Sequence, residues 1–209
     1  MGRRADHGRE ELEELILSAG HQLMAESGYG RFSAREVAKR IGYSVGTVMN
    51  VFGNVDRLVM AINSRTFHLW ANWLEARLDG AAGHERISVL VSGYFEFASS
   101  HRNLWTAIYE HRPPDGILMT DALVAARVAL IDVIAREVAA VLPTKTSIEA
   151  TRITRSLIAT VHGHCAFALG GTFALMGESD PLDLALARVM ETLDTNGAND
   201  RPTGIGAHG

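Results

Sequence analysis

Cysteine is almost missing: Cys165 stands alone among 209 residues, which excludes an intramolecular disulfide framework and any site built on several thiolates. Long hydrophobic runs are missing as well. No segment reaches about 18 apolar residues without a charge, the length that spans a bilayer, and no basic stretch followed by an apolar one opens the chain. These absences predict a cytoplasmic protein with no membrane partner. There is no glycine-rich phosphate loop, no motif of paired carboxylates and no alternating strand pattern. The nearest approach to a catalytic cluster is His162-Gly163-His164-Cys165. On a helix, positions two apart point to nearly opposite faces, so the two histidines cannot chelate one ion. No catalytic residue, metal or cofactor is expected, and the chain does not read as an enzyme.

What is present is apolar enough to fold, with 47% hydrophobic and 21% charged residues, so disorder is not the default. Residues 1–57 carry 8 basic and 8 acidic side chains, and the remainder 12 and 16, so the net charge of -4 resides in the later part. A neutral N-terminal segment can hold DNA only if its bases cluster on one face, because whole-domain attraction is small.

Apolar periodicity is helical throughout, which predicts an all-α chain of about nine helices. The first, over 10–27, carries the stripe Leu12, Leu15, Ile16, Ala19, Leu23 and Met24 and stops at Gly28. Ser33 with Glu36 fits a capping box for a second helix that runs through Ile41 to Gly42. A short third helix follows over 45–52, then a long fourth over 55–78 and a fifth over 84–100. A short sixth holds Leu104, Trp105, Ile108 and Tyr109, and Pro113-Pro114 breaks the chain after it. The seventh is expected over 117–142, the eighth over 147–176 with Gly163, Gly170 and Gly171 inside it, and the ninth from Pro181 to Leu193. Residues 1–9, with Arg3, Arg4 and Arg9, read as a flexible basic arm. Residues 195–209, rich in Gly, Asn and Asp, read as a disordered tail.

Two short helices joined by a tight glycine turn, with a third in front, make a helix-turn-helix unit. Such a unit places its second short helix in the major groove. The run Gly28-Tyr29, Ser33, Val37-Ala38, Ile41-Gly42, Ser44, Gly46-Thr47, Phe52 and Leu58 resembles the N-terminal signature of the tetracycline-repressor (TetR) family, spacing included. The match is strong over about 11–61. Beyond it only helix order and length are similar, with one echo: Val161-His162-Gly163 resembles the Trp-His-Gly core of one TetR C-terminal class, valine replacing tryptophan.

The resemblance implies a DNA-binding domain over 10–54 and a ligand-binding and dimerisation domain over 55–194. It implies that Arg35, Val45, Gly46, Thr47 and Met49 face base edges of double-stranded DNA, with Ser33, Ser44 and Asn50 near phosphates. Arg35 is the best candidate for base readout, since a guanidinium grips guanine bidentately; its plainer reading is a solvated surface arginine. Family members usually carry lysine where this chain has Val45 and Val55, and aromatic or histidine residues at Met49, Asn50 and Val51. Arg57 is a possible substitute, and the arm a partial compensation for lost phosphate contacts.

Aromatic and soft side chains concentrate later in the chain, among them Phe67, Phe97, Met119, Phe167 and Phe173. Most serve as core. Trp70, Tyr94, His101, Trp105, Tyr109 and His162 combine an apolar body with a polar tip and are candidates to line a cavity for a small, largely apolar effector. Ala159, Gly163, Ala166, Gly170 and Ala174 form a small-residue stripe on the eighth helix that permits close approach, either within the subunit or across a homodimer. With Leu182, Leu186, Val189, Met190 and Leu193 of the ninth, it suggests a homodimer through helices eight and nine. The function implied is a ligand-responsive transcriptional regulator, a repressor of a palindromic operator. The alternative is a helical small-molecule-binding or interaction protein without DNA-binding activity, motivated by the missing lysines and the acidic balance.

Overall fold

A computed structural model describes residues 8–198, and among these every regular element is helical. The order is α1 (Arg9–Ser27), a 3-10 turn (Tyr29–Arg31), α2 (Ala34–Arg40), α3 (Val45–Phe52), α4 (Val55–Leu78) and α5 (His84–Ser100). Then come α6 (Arg102–Glu110), α7 (Asp121–Val141), α8 (Ser147–Leu169), α9 (Thr172–Leu175) and α10 (Pro181–Ala198).

The expected pattern is met with local corrections, each with a physical cause. Arg9 opens α1 instead of closing the arm, since Glu11 turns back to accept from the Gly8 amide (3.3 Å) and ties the first turn; Arg3 and Arg4 lie outside the described residues. Ser33 occupies the N-cap of α2 but makes no side-chain cap bond; Glu36 lies beside Lys39 at 3.8 Å. The capping box instead belongs to α8, where the Thr146 amide donates to Glu149 (3.0 Å) and the Glu149 amide to the Thr146 hydroxyl (3.3 Å). α7 starts at Asp121, not residue 117, because Thr120 accepts from the Leu123 amide and terminates the loop. The expected eighth helix breaks at Gly170-Gly171, where Gly171 takes φ +76°, leaving α8 and the short α9. α10 continues through residues 195–198, past the expected start of the tail.

The chain divides into two compact units. The first takes the described residues up to Asn72 together with Ser100–Leu130. Its core is built by Ile16, Leu23 and Met24 of α1, Val37 and Ala38 of α2, Val48 of α3, Leu58, Val59 and Ile62 of α4, and Leu104 and Ala107 of α6. α1 approaches α4 closely at Gly20, where an added Cβ would lie 3.0 Å from Ile62 Cδ1. Asn103 of α6 donates to the Ala25 carbonyl (2.7 Å), satisfying one of the carbonyls that a helix C-terminus leaves open.

The second unit takes Trp73–Ser99 and the described residues from Ile131 onward. Leu74, Ile87, Leu90, Phe97, Val138, Leu157, Val161, Cys165, Ala185, Val189 and Leu193 are buried in it. α8 packs against α10. Val189 and Leu193 therefore serve the subunit's own core, which removes two of the five side chains offered to a partner by the ninth-helix expectation. Arg86 grips the buried Glu137 with two contacts of 2.6 and 3.0 Å and also donates to the Leu78 and Ala81 carbonyls. The guanidinium holds the Glu137 carboxyl below the usual carboxylate range.

Candidate functional site

The turn between α2 and α3 is built on Gly42, whose φ of +73° lies where glycine is favoured. The Tyr43 amide then reaches back to the Ala38 carbonyl (2.9 Å). Ser44 caps α3 by accepting from the Thr47 amide (3.1 Å), with the two hydroxyls 3.0 Å apart. Gly53, at φ +83°, ends α3, and Asn54 accepts from the Arg57 amide (2.8 Å) to start α4.

α3 sends Val48 fully into the core and leans Val51 and Phe52 on it. Successive residues are 100° apart in a helix of 3.6 residues per turn, so Gly46 and Asn50 face away from the core side of Val48, Val51 and Phe52, with Val45 and Met49 on the flank. Val45, Gly46 and Asn50 are exposed; Met49 is half-buried and packs in part on the core. Arg35 is exposed on α2 and has no acidic partner among the described residues. Ser33 is half-buried with an uncommitted hydroxyl, whereas Ser44 and Thr47 are engaged with each other. Arg57 is exposed at the start of α4.

The six residues offered for an effector cavity are divided between the two units. Trp70, His101, Trp105 and Tyr109 belong to the first unit, Tyr94 and His162 to the second. Trp105 and Tyr109 stack edge-on at 5.2 Å. The Tyr94 hydroxyl and His162 Nδ1 are 2.9 Å apart, and burial lowers the His162 imidazole below its ordinary value. His164 instead faces the Thr160 carbonyl (2.8 Å), so the two histidines diverge. Burial pushes the Cys165 thiol up to about 12, which leaves it protonated and unreactive at neutral pH.

Each unit has a wide, open surface pocket and a more enclosed cavity. That of the second, walled by Ile87, Leu90, Tyr94, Val138, Leu157 and Val189, is almost wholly apolar and holds only about 30 Å³, roughly one water's share of liquid volume. That of the first holds about 200 Å³ between Met60, Asn63 and Phe67 of α4, Ile108 of α6, the segment His111–Arg112–Pro113, and Met119, Leu123 and Arg127. Of these Phe67 and Met119 belong to the aromatic and soft set singled out from the sequence. Asn63 carried a signal of its own, an amide one residue from the core side chain Ile62.

Residues 16–62 match the model of bacterial regulatory proteins of the tetR family. Residues 87–193, just over half the chain, match the tetracyclin repressor-like C-terminal domain. The chain belongs to the TetR family. No curated protein matches it in sequence. Among solved structures, a Rhodococcus sp. RHA1 protein of unknown function is similar at 22% identity and TM-score 0.72, over 93% of this chain and 98% of that one. A TetR-family transcriptional regulator from Streptomyces coelicolor shares 18% identity at TM-score 0.67, over 93% and 85%. The transcriptional regulator FadR from Bacillus subtilis, solved in complex with stearoyl-CoA, shares 14% at TM-score 0.64, over 87% and 97%. At these identities the likeness is one of TetR fold. Among the described residues no helix is long and apolar enough to cross a membrane.

Proposed function

We propose that this TetR-family protein is a cytoplasmic, ligand-responsive transcriptional repressor that binds a palindromic operator as a homodimer and is released by a small, largely apolar effector. The observation that carries the reading is the exposed side of α3. Val45, Gly46 and Asn50 are turned to solvent beside the unpaired Arg35, while Val48 anchors the helix from behind. A short helix held this way presents its N-terminal residues to base edges. Arg35 supplies the bidentate donor, and Ser33 and Asn50 supply uncommitted polar groups for phosphates. Dimerisation through α8 and α10 would set two such helices about one DNA turn apart, ~34–36 Å. The structurally similar regulator FadR, crystallised with stearoyl-CoA, is a neighbour in fold that holds a small molecule.

The test is fluorescence anisotropy with the duplex upstream of the protein's own gene, at several salt concentrations. Arg35→Ala is expected to reduce affinity by about 1–3 kcal/mol and to relax preference at one base position. A fully folded protein that binds this duplex no better than a scrambled one supports the alternative, a helical binding protein without DNA-binding activity.

A further inference from the structure

We propose that the cavity of the first unit is the effector site, and that it takes a compact aromatic acid bearing a hydrogen-bond donor on the side opposite its carboxylate. The inference rests on the ligand-responsive reading above and names the chemistry of the ligand. Three observations carry it. Asn63 is 3% exposed and lines the cavity, yet its Oδ1 has no hydrogen-bond partner. Buried polar atoms are nearly always satisfied, so a ligand hydroxyl or amine donating to Oδ1 completes the site.

The cavity's other charged groups are all cationic or neutral. Arg112 and Arg127 are exposed side chains on its lining, and no acidic residue lines it. Neither arginine pairs with a carboxylate among the described residues. Arg112 donates to the Tyr109 and His111 carbonyls, and Arg127 lies over the Phe67 ring at 5.9 Å with Met119 Sδ 3.8 Å away. A carboxylate at this rim would meet two guanidinium groups that hold no other carboxylate. Between rim and Asn63 the walls are Met60, Phe67 and Leu123, which fit an aromatic body. The volume, about 200 Å³, equals roughly six or seven waters' share of liquid and limits the ligand to a single ring.

The site also has a route to the DNA-binding helices. His111 lines the cavity and places Nε2 3.1 Å from Asp56 Oδ1 in the first turn of α4, two residues beyond the α3–α4 turn. A ligand that moves the His111 segment therefore acts on the start of α4.

The experiment uses the full chain and 4-hydroxybenzoate as probe, with calorimetry for binding and anisotropy for operator release. Saturable binding is expected, weakened at least tenfold when the probe is benzoate (no donor) or methyl 4-hydroxybenzoate (no charge). The same loss is expected for 4-hydroxybenzoate with the Arg112→Gln/Arg127→Gln protein, whose changes lie at exposed positions and whose fold is checked by circular dichroism. Asn63→Leu, which removes the unmatched oxygen, should abolish the preference for 4-hydroxybenzoate over benzoate and keep the fold by circular dichroism. The proposal is overturned if 4-hydroxybenzoate fails to bind up to about 10 mM, or if the double arginine variant binds it as well as the parent. Calorimetry needs no DNA. Loss of probe binding with intact operator binding sinks this site alone, whereas absence of operator binding sinks the regulator reading and leaves the site standing.

Discussion

Two glycines a few residues apart serve opposite ends. Gly42 makes the turn and Gly46 lies on the exposed side of α3. An added Cβ at Gly42 would meet nothing within 4 Å, so replacement is resisted only by its φ of +73°. Gly42→Ala is expected to cost about 1–2 kcal/mol in urea unfolding, and operator affinity should fall with it because the two helices lose their fixed angle. Gly46→Ala should do the reverse to stability. Its Cβ would sit 3.5 Å from the Ser44 hydroxyl, an ordinary contact, in a helix where alanine is favoured over glycine by roughly 0.5–1 kcal/mol. The added methyl would nevertheless stand on the groove-facing side. A more stable protein with weaker operator binding is the expected outcome, and unchanged affinity would show that α3 does not approach DNA with this side.

At the scale of elements, α1 and α4 meet across His21, whose Nε2 is 3.3 Å from the Thr66 hydroxyl. Burial, then the charges of Arg65 and His101, lower its imidazole from 6.5 to about 4. Between those values the unfolded chain binds a proton that the folded one refuses, so stability falls as pH drops from 6.5 to 4 and the penalty saturates below. His21→Gln should flatten this slope in melting temperature, and a slope identical to the parent's would assign the acid sensitivity elsewhere. The contact also shows where sequence reading stops. Helices α1 to α6 were legible because glycine and proline punctuate them and their apolar spacing repeats. The solvent-facing side of α3 was legible too, since a three-helix unit leaves few orientations for α3. The cavity was not. Asn63, Arg112 and Arg127 come from three separated stretches, and nothing in their local pattern announces that one amide oxygen is left unmatched between them. The polar-tipped aromatics are more conspicuous in the sequence: Trp105 and Tyr109 stack edge-on, and the Tyr94 hydroxyl meets His162 Nδ1. Polarity along a helix reports amphipathic position, whereas a cavity is set by what fails to fill space between elements.

For the whole molecule, the remaining question is what covers α8. Gly163 is half-buried, and a Cβ there would meet nothing within 4 Å. Ala159 is exposed, as is Phe167 at 49%. The small-residue stripe is therefore not spent on close packing inside the subunit, which was the plainer of its two explanations. A helix with an exposed aromatic beside a shallow glycine groove suits a second copy of itself, because a twofold contact brings the same patch to both sides. On this argument Gly163→Glu leaves the subunit's interior untouched but puts two like charges at the centre of the contact. Light scattering after size exclusion should report a monomer where the parent is a dimer, and affinity for a palindromic duplex should fall to that for a single half-site. A variant that stays dimeric at low micromolar concentration would move the contact off this part of α8, to the half-buried Leu182, Leu186 and Met190 of α10, whose replacement by charge would then be the decisive change.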